Sequence, residues 1–175
     1  MLYIFNFFTK NIYISLKIFD EYNNEKAVDC MKVKDCMCNK VAYVDPRCSV
    51  EQCAKIMNEN HIGCLPVCDN TKKVVGLVTD RDILLRTVGC GKDAKTTPVG
   101  DIMTANVFSC NPEQDINTAQ KVMAENQIRR LPVIENNKIV GILTLGDLAK
   151  NLNVSTEGVA TTLENICGYG NKNAE

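Results

Sequence analysis

Val33, Asp35, Met37, Val41 and Pro46 return 66 residues later as Val99, Asp101, Met103, Val107 and Pro112. Lys55, Met57, Glu59, Asn60, Ile62, Leu65, Pro66 and Val67 return at the same spacing as Lys121, Met123, Glu125, Asn126, Ile128, Leu131, Pro132 and Val133. One residue is then lost in a turn, and Lys73, Val75, Gly76, Thr79 and Asp82 match Lys138, Val140, Gly141, Thr144 and Asp147 at a spacing of 65. Self-similarity of this extent marks two copies of one supersecondary unit. A unit of roughly 60 residues buries only about 60% of the surface its unfolded chain exposes, so neither copy is well stabilised without the other.

Each unit reads as β-α-β-β-α. A short apolar strand is expected around Ala42 to Val44 and around Val107 to Cys110, closed by the turn signals Asp45-Pro46 and Asn111-Pro112. Ser49 followed by Gln52 has the capping-box spacing, and Val50, Cys53, Ala54 and Met57 then fall on one helical face. Asp115 starts the second copy of that helix, with Ile116, Ala119 and Met123 on its stripe. Two apolar strands separated by a polar turn follow, Cys64 to Cys68 with Val74 to Val78, and Leu131 to Ile134 with Lys138 to Leu143. A short helix begins at Thr79 or Thr144, and a last one is expected from about Ser155 to Cys167. The pair makes an α/β module of two small sheets faced by helices.

Composition narrows the function. The 20 Lys+Arg against 21 Asp+Glu leave a net charge of -1 and supply no basic face for nucleic acid. Residues 1–26 carry four of the five phenylalanines and three of the five tyrosines. Asn6, Thr9, Lys10, Asn11, Ser15 and Lys17 break that stretch well short of the roughly 20 apolar residues of a membrane span. An interfacial helix is one alternative. The reading we favour is translated AT-rich upstream sequence, with residues 1–30 an atypical extension and Met31 the true start. No secretory signal is legible there, which places the ten cysteines in a reducing cytoplasm as free thiols.

The strongest local signal is GLVTDRD, Gly76 to Asp82, repeated as GILTLGD, Gly141 to Asp147. A threonine three residues before an aspartate at a strand-to-helix switch is a capping box worth about 1 kcal/mol. The same geometry suits a nucleotide, because a carboxylate can accept both hydroxyls of a ribose and a helix start can meet phosphate. Spacing alone leaves both readings open.

With D-x-M near each start, an apolar-L-P-V strand and G-h-x-T-x-x-D at each end, the chain resembles the CBS domain, named for cystathionine β-synthase, in its tandem pair (Bateman module) of stand-alone bacterial type. The resemblance covers about Val33 to Val159, with the first domain at 37–95, the second at 103–159 and a C-terminal helix and tail at 160–175. It implies a pseudo-twofold pair that binds an adenosine-containing ligand such as AMP, ATP or S-adenosylmethionine between the repeats, with no obligatory cofactor and no enzymatic activity. It further implies a homodimer formed through the short helices and a protein target of unknown identity, with neither nucleic acid nor membrane as partner. Carried over residue by residue, the ribose aspartates fall on Asp82 and Asp147 and the phosphate-side threonines on Thr79 and Thr144. Arg130, with Arg129 beside it, falls where a basic residue meets phosphate, and Thr104 falls on a cleft-lining position. Unit one has Gly63-Cys64 and Cys38 where unit two has Arg129-Arg130 and Thr104, so the two clefts are expected to be unequal and one site per chain occupied.

Two other functions compete with the sensor: a structural interaction module that binds no nucleotide, and a thiol redox or metal-binding module. The repeat weighs against the last. Cys53 aligns with Ala119, Cys68 with Ile134, Cys110 with Val44 and Cys36 with Ile102, so sulfur stands where a small apolar side chain serves equally well. No metal site is assigned. His61, the one histidine, aligns with Gln127 and reads as a solvated residue.

Overall fold

Strong β-formers flanked by turn residues make each unit's hairpin, and the computed structural model, which describes residues 31–168, forms two of them. In unit one β1 (Cys64–Cys68) pairs antiparallel with β2 (Val74–Thr79), and in unit two β3 (Arg130–Glu135) pairs with β4 (Lys138–Thr144). The second hairpin turns on Asn136 and Asn137, both with positive φ, as a two-residue turn requires. Both hairpins carry a bulge at the same place, between Val67 and Cys68 and between Val133 and Ile134.

The helices, in chain order, are α1 (Val33–Cys36), α2 (Val50–Glu59), α3 (Asp80–Arg86), α4 (Ile116–Asn126), α5 (Leu145–Lys150) and α6 (Thr156–Gly168). Ser49 Oγ accepts from the Gln52 amide, and Asp115 accepts from the amides of Asn117 and Thr118, so both long helices start where the caps place them. Val50, Cys53 and Met57 are buried as the stripe predicts, whereas Ala54 faces solvent. Helix α6 packs on α4 and α5 of unit two, and Ser155 Oγ accepts from the Gly158 amide at its start.

The opening strand of each unit shrinks to a single parallel bridge, Val44 to Val67 and Cys110 to Val133. Val44 donates to the Pro66 carbonyl and accepts from the Cys68 amide. The next donor along β1 would be the amide of residue 66, and proline has none, so pairing stops. Pro132 ends the second strand in the same way.

The beginning of each repeat is exchanged onto the other. Leu77 of β2 and Thr104 trade two backbone hydrogen bonds of 2.9 Å, and Ile142 of β4 and Cys38 do the same at 2.9 Å. Val99 and Ile102, from the start of unit two, complete the apolar core of unit one with Val44, Val50, Leu65, Val67 and Val78. On the other side the Val33 amide donates to the Gln114 carbonyl, and Lys32 and Lys34 each bring an ammonium to 2.6 Å from Glu113. The two lysines hold the Glu113 carboxyl down at about 2. The exchange merges the repeats into one compact unit. The expectations for residues 1–30 lie outside the described residues.

Candidate ligand-binding cleft

Each capping box forms as the sequence spells it. Thr144 Oγ1 accepts from the Asp147 amide at 3.1 Å, while Asp147 Oδ2 accepts from the Thr144 amide at 2.9 Å and from its hydroxyl at 2.6 Å. Thr79 and Asp82 repeat the pattern, with 2.9 Å from the amide and 2.7 Å from the hydroxyl. In both boxes the threonine proton is donated to the aspartate.

The aspartates differ in their second oxygen. Arg86, one turn after Asp82, places Nη2 at 3.3 Å from Asp82 Oδ1. Its Nη1 donates to the Ile102 carbonyl at 2.7 Å and to the Thr104 hydroxyl at 3.2 Å. The position matching Arg86 in unit two is Asn151, whose amide turns away to Cys36 Sγ at 3.1 Å. Among the described residues, nothing pairs with Asp147 Oδ1.

Two clefts result. The larger, of about 580 Å³, lies in the size range of small-molecule sites and gathers Arg129, Arg130, Thr144 and Asp147 with Cys38, Lys40, His61, Gly63, Cys64, Lys150 and Leu163 of α6. The smaller, of about 170 Å³, holds Thr79, Asp82 and Thr104 with Asn106, Phe108 and Arg130. The predicted residues thus divide into two groups, and Arg130 borders both. Register explains its place, because Arg130 is the strand partner of Thr144 and so lies across from the start of α5. At Gly63 a side chain would meet the Arg130 guanidinium at 3.0 Å and the Asp80 carboxylate at 2.8 Å, so the bare backbone leaves room for both.

Sequence reasoning missed Lys40, Lys150 and Arg86. Arg86 was signalled by its i,i+4 spacing from Asp82 and Lys150 by its place on the helix that carries Asp147; Lys40 enters only through the exchange of the first segment. His61 is exposed as expected but lines the larger cleft. Cys64, buried in its wall, has its thiol pushed up by burial, with Arg130 pulling the other way. Among the described residues no group of three or more His, Cys, Asp or Glu is placed to hold a metal ion, and no helix is long and apolar enough to cross a membrane.

A model of the CBS domain matches residues 33–89 and 99–154. The CBS domain-containing protein YhcV of Bacillus subtilis is 41% identical over 134 residues, which is 77% of this chain and 94% of that protein. Hypoxic response protein 1 of Mycobacterium tuberculosis is 33% identical over 119 residues, covering 68% of this chain and 83% of its own. A crystal structure of Hypoxic Response Protein I, described with two coordinated zinc ions, matches with a TM-score of 0.65 and 32% identity over 70% of this chain and 99% of that one. The CBS domain pair of MJ0100, solved in complex with 5-methylthioadenosine and S-adenosyl-L-methionine, matches with a TM-score of 0.63 and 26% identity over 69% of this chain and 98% of that one.

Proposed function

The chain belongs to the CBS domain family, and on that footing we propose that it is a regulatory, non-catalytic sensor that binds one adenosine-containing ligand per chain in the larger cleft. The observation that carries this reading is the inequality of the two aspartates: Asp147 keeps an oxygen for a ribose beside a roomy cleft, whereas Arg86 occupies the matching oxygen of Asp82. Arg129 and Arg130 supply the charge that meets phosphate, and Asp147 accepts from the sugar. A ligand lying between the repeats biases their relative arrangement only through differential affinity for two states. The neighbour MJ0100, solved with two adenosyl compounds, supports the ligand class.

A second copy is the expected reader of that change. Leu84 and Leu85 of α3 and Val88 just beyond it are 58%, 49% and 65% exposed, an apolar strip on the short helix through which a homodimer would form. A dimer in light scattering that dissociates on Leu85→Glu supports this assembly, and a monomeric wild type removes it.

Thermal shift with adenosyl compounds tests the sensor. At 100 times its dissociation constant a ligand adds about 2.7 kcal/mol to stability. Asp147→Ala should abolish the shift and cost about 1 kcal/mol of capping, while Asp82→Ala should cost a similar amount and leave the shift intact. The alternative, a structural interaction module, is favoured by the fact that both aspartates already serve as caps. A folded protein with no shift from any adenosyl compound selects that alternative.

A further inference from the structure

Four cationic side chains, Lys40, Arg129, Arg130 and Lys150, line the larger cleft with the carboxylate of Asp147, and the Asp80 carboxylate sits by Gly63 beside Arg130. None of the four forms an ion pair with a carboxylate among the described residues, although surface lysines elsewhere do, as Lys32 and Lys34 do with Glu113. They arrive from three separate stretches of chain: Lys40 from the exchanged first segment, the arginines from the start of β3, and Lys150 from the end of α5. The repeat supplies an internal comparison. The positions matching Lys40, Arg129, Arg130 and Lys150 are Asn106, Gly63, Cys64 and Leu85, so the pseudo-twofold does not require the charge. The fold is served without it in the other half.

From this we infer that the larger cleft selects a nucleoside di- or triphosphate over a monophosphate, and disfavours a sulfonium nucleoside, which brings its own positive charge. The inference rests on the adenosyl reading of the site and specifies its ligand. One or two cations suffice for a single phosphate. Four cations lining one cleft repel one another unless several anionic oxygens lie among them, and charge-assisted hydrogen bonds to those oxygens are the strong ones. The arginines border Thr144 and Asp147, where the sugar end is placed, so the α-phosphate falls to them, and the outer phosphates fall to Lys40 and Lys150.

Isothermal titration of the full chain with adenosine, AMP, ADP, ATP and S-adenosylmethionine in one low-salt buffer tests this. ATP or ADP should bind at least about tenfold more tightly than AMP, the size of one charge-assisted contact, and S-adenosylmethionine more weakly than AMP. Raising the salt should narrow the gap, because the lysines are exposed. The double variant Lys40→Gln, Lys150→Gln should bring ATP to within a few-fold of AMP while leaving adenosine affinity and the melting temperature unchanged. AMP or S-adenosylmethionine binding as tightly as ATP, or a double variant that keeps the gap, overturns the inference and leaves the adenosyl sensor standing. Failure of every adenosyl compound to bind a folded protein overturns the sensor itself.

Discussion

Arg86 separates two sites that the repeat makes alike. Its guanidinium joins Asp82 on α3 to the Ile102 carbonyl and the Thr104 hydroxyl, both from the segment exchanged into unit one. The contact therefore ties α3 to the segment exchanged from the other repeat, beside Asp82. Removing it as Arg86→Ala takes away a charged donor from a carbonyl and a half-exposed ion pair, so a loss of about 1–2 kcal/mol in urea denaturation is expected. Ligand stoichiometry should stay at one per chain, because the smaller cleft, of about 170 Å³, is too small for a nucleotide even with Asp82 Oδ1 freed and Arg130 at its border; a second equivalent of ligand in titration would show that Arg86, and not size, closes it. The sequence made Thr79, Asp82, Thr144 and Asp147 legible as two equal pairs. What it did not make legible is which oxygen of each aspartate is spoken for, since that depends on a residue four positions on and on a segment brought in from the other repeat.

Elements are held in register by that exchange. Met37 packs over Gly141 of β4, and Met103 packs over Gly76 of β2, each methionine lying on the glycine of the opposite repeat. A Cβ at Gly141 would collide with the Met37 side chain and come within 3.2 Å of the Cys38 carbonyl. Gly141→Ala is therefore expected to destabilise by about 1–3 kcal/mol, the usual cost of overpacking. Because the clash is with Met37, adding Met37→Ala should restore part of the loss, and a strictly additive double-mutant cycle would show the two residues to be independent. The D-x-M and Gly positions stood out in the repeat, but as separate matches. Their partnership is non-local and leaves no periodic trace, just as the arrest of the opening strand at Pro66 depends on the neighbouring strand and not on the strand's own residues. The hairpins and the helices that follow a cap, α2 to α6, were legible nearly to the residue because caps and turns are local, whereas the short helix α1 (Val33–Cys36) was not foreseen.

For the whole molecule the buried thiols add a dependence of stability on alkaline pH. Burial, with Cys48 beside it, pushes Cys53 up to about 12, and burial pushes Cys68 and Cys110 up to about 11, against an ordinary thiol near 9. Folded, these side chains are protonated across the neutral range and pack as small hydrophobes. Each folded value is raised above the unfolded one, so the stability it contributes is fully present below pH 9 and is lost as pH rises through 11 to 12, where the unfolded chain ionises first. The repeat names the replacements, because Ala119, Ile134 and Val44 already fill the matching places in the other half. Cys53→Ala, Cys68→Ile and Cys110→Val together should leave the fold and its neutral-pH melting temperature nearly unchanged. The same triple variant should shift alkaline unfolding, followed by far-UV circular dichroism from pH 8 to 12, to higher pH. An unchanged alkaline transition would place its cause in the lysines and tyrosines, and a variant that fails to fold at pH 7 would show that sulfur fills a shape in these cores that its repeat counterparts do not.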